Sequence, residues 1–96
     1  MKLILQFDCD ADIIDVPEHV VLNRELYRKQ FLKWIYNPKS IHGYRVINKG
    51  FSGVRYRGDA FVQWLNKRII KKASEKATLE AQYVKNIACD IPTIFL

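Results

Sequence analysis

The chain lacks any apolar run long enough to cross a bilayer. Its longest, such as Leu3-Ile4-Leu5 and Ile94-Phe95-Leu96, extend only a few residues, far below the roughly 18 that a span requires. The apolar stretch after Lys2 stops at Asp8 without a small-residue cleavage pattern, so a cytoplasmic setting is expected and no membrane partner. Two cysteines, Cys9 and Cys89, are too few for a disulfide framework and read as buried thiols. With His19 and His42 unpaired in the sequence, they do not make the clustered spacing that zinc requires. No cofactor is expected. There are also few breakers, four Gly and three Pro, and no repeat, low-complexity stretch or linker. The 96 residues therefore read as one domain, 1–96. A chain this size buries about 60 to 70% of its unfolded surface, which excludes the large doubly wound and barrel enzymes.

What is present is a divided charge. The formal net charge is +6, but residues 1–18 sum to −4 and residues 19–72 to +11, with only Glu25 and Asp59 against thirteen Lys or Arg. Acid-poor stretches of this kind speak to partners and solubility rather than to fold. A basic surface suits nucleic acid, an anionic lipid headgroup or an acidic protein.

Hydrophobic periodicity supplies the elements. From Lys2 to Ile13 the side chains alternate, with Leu3, Leu5, Phe7, Cys9, Ala11 and Ile13 on one face, as in a strand with one dry side. Asp15 and Glu18 flank Pro17 as a capping box would. A helix then runs to Tyr36, carrying Val20, Tyr27, Phe31, Trp34 and Ile35, until Asn37-Pro38 stops it; a start at Asn23 is the alternative. Tyr44 to Asn48 and Gly53 to Arg57 read as two strands about a turn. Gly58-Asp59 opens a second helix with Asp59 as its cap. Phe61, Val62, Leu65 and Ile69 form that helix's apolar stripe, and Lys67, Arg68, Lys71 and Lys72 crowd its last turns. A break falls near Ser74, the stretch to Asp90 is open between helix and strand, and Ile91 to Leu96 is a final strand with Pro92 at its start. The order predicts an α+β two-layer sandwich, an antiparallel sheet with two helices on one face, ferredoxin-like (βαββαβ) or a close variant.

Three constellations bear on chemistry. Asp8, Asp10 and Asp12 follow an apolar strand, and over Lys2 to Asp12 the pattern resembles the nucleophile segment of haloacid-dehalogenase-type phosphatases. That resemblance implies a metal-dependent phosphotransfer enzyme, whose larger parallel sheet and further acids the chain is too short to supply. The acids are read instead as the wet side of the first strand, facing Arg55 or Arg57. Lys49-Gly50-Phe51-Ser52-Gly53-Val54-Arg55-Tyr56 partly resembles the ribonucleoprotein octapeptide of RNA-recognition motifs, with Gly53 and Ile4 where that family stacks bases on aromatics. The third is a basic and aromatic set, Tyr44, Phe51, Arg55, Arg57, Trp64, Lys67, Arg68, Lys71 and Lys72, in which Trp64, Lys67 and Lys71 fall at helical spacing. Trp, Tyr and Arg are the usual anchors of interfaces. The sequence therefore predicts a non-enzymatic binding module, an adaptor or inhibitor that uses this set on a protein partner, with nonspecific nucleic-acid binding as the alternative.

Overall fold

The expected first strand folds back on itself. In the computed structural model, which describes residues 1–48, 50–85 and 90–96, β1 (Lys2–Gln6) and β2 (Ala11–Asp15) form an antiparallel hairpin that pairs Leu3 with Ile14 and Leu5 with Asp12. The Phe7 amide donates to the Asp10 carbonyl at 2.8 Å, and Gln6 Nε2 donates to the carbonyls of Phe7 and Asp10. Short polar side chains such as Asp8 and Asp10 favour a turn over a continuing strand. The reversal resets the alternation. Asp12 joins the side of Leu3 and Leu5 and is fully buried, while Cys9, expected on the dry face, is exposed in the turn. Cys89 lies outside the described residues.

After Pro17, α1 (Glu18–Leu22) and α2 (Arg24–Tyr36) follow, separated at Asn23, where the predicted single helix and its alternative start meet. The capping box does not form, because Asp15 ends β2 and its carboxylate takes the N-terminal ammonium at 3.0 Å. β3 (Arg45–Asn48) and β4 (Phe51–Val54) pair as a separate two-stranded ribbon, with Gly50 at φ +83° in the connection, a conformation that favours glycine. The side chains of residues 48, 51 and 52, including the predicted contact Phe51, lie outside the description.

The second predicted helix, α3 (Gly58–Arg68), ends earlier than its apolar stripe suggests. Lys76 Nζ donates to the Asn66 and Ile70 carbonyls at 2.5 and 2.6 Å, serving the helix end that the dipole makes attractive to cations. Lys71 and Lys72 therefore lie beyond the helix and do not extend its basic stripe. The break near Ser74 is a 3₁₀ turn (Ala73–Glu75), the open stretch forms strand β5 (Thr78–Val84), and β6 (Thr93–Phe95) begins just after Pro92.

The main sheet has the order β5-β2-β1-β6, with β6 parallel to β1 and the other pairs antiparallel. The ferredoxin-like order is corrected: β2 arises from the first hairpin rather than after a helix, and β3 and β4 stay out of the sheet. What holds is a mixed α+β architecture, with a four-stranded sheet and three α-helices among the described residues. One sheet face, carrying Leu3, Leu5, Ile14 and Ile94, packs on Val20, Phe31, Ile35, Phe61 and Leu65. Phe31 is the aromatic hub, with the rings of Tyr56, Phe61 and Trp64 at 5.3, 5.1 and 5.8 Å. Such edge-on contacts add about 1 kcal/mol each beyond area burial. Among the described residues, no helix is long and apolar enough to cross a membrane.

Candidate binding groove between the helices

The core packing that buries Phe31 turns the next residues of α2 toward α3. Trp34 on α2 and Trp64 on α3 line a common groove, closed on its third side by the loop from Asn37 to Tyr44. Asn37-Pro38 ends α2, and the loop is then tied down. Asn37 Oδ1 accepts the Lys39 amide at 2.9 Å, and Arg45 Nη2 donates to the Asn37 carbonyl at 2.9 Å. His42 bridges Ile35 and Tyr44: its Nε2 meets the Ile35 carbonyl at 3.0 Å and its Nδ1 accepts the Tyr44 amide at 3.2 Å. These partners call for the tautomer with hydrogen on Nε2. The Tyr44 hydroxyl donates to Gln63 Oε1 on α3 at 2.6 Å, fastening the loop to that helix. Burial, followed by the charge of Asp59, pushes the Tyr44 phenol above its ordinary value.

The groove consists of two adjoining clefts of about 350 and 760 Å³ that share Trp34, Ile41, Trp64 and Arg68. Lys67 stands on the first, and Lys33 and Lys39 on the second. No Asp or Glu lines either cleft, and none of these four cations makes an ion pair among the described residues. The tryptophans act as walls. Trp64 is 3% exposed and packs against Phe61 and Tyr27. Trp34 has the His42 ring at 4.9 Å and the Arg68 guanidinium at 5.8 Å. Ile41 is 97% exposed on the lip.

Of the predicted contact set, Trp64, Lys67 and Arg68 come together here and Tyr44 buttresses the wall. Arg55 sits apart, beside Val46 and Val54 in a small cleft on the ribbon. Arg57 is withdrawn from any partner. Its guanidinium is bonded to Asp10 Oδ1 at 2.7 Å and to Asp12 Oδ1, and it lies 4.4 and 4.2 Å from the ring centroids of Phe7 and Tyr83. Burial works against its charge, but the bonds and charges of Asp12 and Asp10 outweigh this and hold Arg57 above its already high value. The expectation that these acids face an arginine is met at Arg57, through the start of α3 rather than across a strand pair. Asp12 also replaces Asp59 as the cap of α3: its Oδ2 accepts the Gly58 amide at 2.7 Å.

The Arg57 guanidinium occupies the space between Asp10 and Asp12, and no group of three or more His, Cys, Asp or Glu converges as a metal set among the described residues. Of the octapeptide's described residues, the segment in β4 pairs with β3 rather than with β1, and Tyr56 is half-buried against Phe31. Sequence reasoning passed over Lys39, Ile41 and Gln63 as site residues. The available signal was Ile41 itself, an aliphatic residue isolated in a polar loop. No family model, curated protein or solved structure matches the chain.

Proposed function

We propose that the protein is a non-enzymatic binding module that docks a protein partner in the groove between α2 and α3. The observation that carries this reading is the convergence of Lys33, Lys39, Lys67 and Arg68 around two tryptophan walls with no acid among the lining residues. Unpaired cations beside apolar tryptophan walls attract a ligand of negative charge. Nucleic acid is the second reading, favoured by the same charge. It is weakened by the tryptophans, because sequence-independent binding of single strands relies on open aromatic faces for base stacking. Trp64 is buried, and the Trp34 ring has His42 and Arg68 beside it.

Trp34 and Trp64 are the only two tryptophans in the chain, so tryptophan emission, excited clear of the tyrosine band, reports on the groove walls. Titration with polyglutamate should change the emission, and the effect should vanish in Lys67→Glu/Arg68→Glu yet persist in Lys71→Glu/Lys72→Glu. Short single-stranded or duplex oligonucleotides that bind more tightly than polyglutamate at physiological salt would place nucleic acid first. Equal loss in both charge-reversal pairs would remove the groove from the argument.

A further inference from the structure

Ile41 is the feature that charge alone leaves unexplained. Leu22 and Ile47 are also largely exposed, but Ile41 stands at the groove, where covering it on binding returns about 25 cal/mol per Å² of aliphatic surface. Here the loop is pinned at Asn37, His42 and Tyr44 by side-chain hydrogen bonds, and the result is an isoleucine 97% exposed that borders both clefts. A held loop presents this group at little further entropic cost on binding.

Resting on the reading above, we infer that the groove's occupant is an acidic segment of a partner protein that also carries an aliphatic side chain. Its carboxylates meet Lys67 and Arg68, and its aliphatic group covers Ile41. A free inorganic anion would satisfy the cations but leave Ile41 wet. A nucleic-acid backbone offers the lip no aliphatic partner. A second copy of this chain offers an acidic first hairpin as well as a basic groove, and self-association of the chain in the absence of peptide would overturn the inference. A peptide combining both chemistries fits the charged bank and the lip together, in the manner of an interface with an apolar anchor inside a polar rim.

The test uses the full chain, tryptophan emission and two blocked octapeptides: one of six glutamates and two leucines, the other with serine in place of leucine. The leucine peptide should bind about fivefold more tightly, the worth of roughly 1 kcal/mol of aliphatic contact. Ile41→Ser, a change at an exposed position that leaves the fold intact, should erase that difference. Lys67→Glu/Arg68→Glu should weaken both peptides about tenfold or more. If both peptides bind equally and both respond to the charge reversal, the aliphatic seat is overturned while the binding reading stands. If neither peptide binds, or the charge reversal changes nothing, the reading itself falls. If the leucine advantage survives Ile41→Ser, the seat lies elsewhere and the inference is wrong.

Discussion

Asp12→Ala tests the bond network that joins the two halves of the fold. Asp12 is wholly buried, and its carboxylate holds three donors: the Arg57 guanidinium, the Gly58 amide at 2.7 Å and the Tyr83 amide at 3.2 Å. The three lie on the start of α3 and on β5, so one side chain ties the first hairpin to both. Truncation leaves the guanidinium with Asp10 alone and strips the first turn of α3 of its cap. Breaking a buried ion pair from one side costs about 3 to 5 kcal/mol, and a lost cap about 1. These overlap, so the expected loss is about 4 kcal/mol. A chain of this size has roughly 5 to 15 kcal/mol in all. In urea, with a slope of about 1 to 2 kcal/mol per molar, the midpoint should drop by at least about 2 M. Asp12→Asn keeps an acceptor and the shape but not the charge, and should lose about half as much. Asp8→Ala, in the exposed turn, should lose less than about 0.5 kcal/mol. Equal losses for Asp8→Ala and Asp12→Ala, or a loss under about 1 kcal/mol for Asp12→Ala, would refute the account.

Gly58→Ala should destabilise by about 2 kcal/mol or more in the same assay. The new Cβ would meet Asp12 Oδ2 at 2.8 Å and Asp12 Cβ at 2.9 Å, which outweighs the gain of about 1 kcal/mol that alanine ordinarily brings to a helix. Arg57→Lys keeps the charge but cannot reach two carboxylates as a planar fork against two rings, and a loss of about 2 kcal/mol is expected from thermal or urea unfolding. Burial, and then the neighbouring Tyr36 hydroxyl, push the Tyr56 phenol far above 10.0. A raised folded value means that its contribution to stability is complete below the unfolded value, about 10, and is lost as pH rises above it. In an alkaline titration of tyrosinate absorbance, Tyr56 should therefore ionise last and together with unfolding; ionisation of all five tyrosines in one step on a folded chain would contradict this.

The contrast between what could and could not be read along the chain follows from the range of the forces. The C-terminal end of α2 and the start of β6 were legible because Asn37-Pro38 and Pro92 act on the backbone locally. The first hairpin was not. Lys2 to Ile13 alternates without interruption, and only the pairing of Leu5 with Asp12 across the turn shows that an aspartate shares the dry face. The cap of α3 was misread for the same reason. Asp59 stands where a local cap is expected, yet the carboxylate that serves the helix comes from Asp12, 46 residues earlier, because a buried acid already committed to Arg57 also meets the Gly58 amide. That choice reshapes the binding surface. Arg57, which immediately precedes α3, is consumed by the core, and α3 keeps for the outside only Lys67 and Arg68 near its far end. The cations left free on α3 therefore lie beside Trp34 and the pinned loop rather than beside the acidic hairpin. The acids of the first hairpin and the cations of the groove act as separate systems, one spent on stability and the other left free, and substitutions in one should be additive with substitutions in the other.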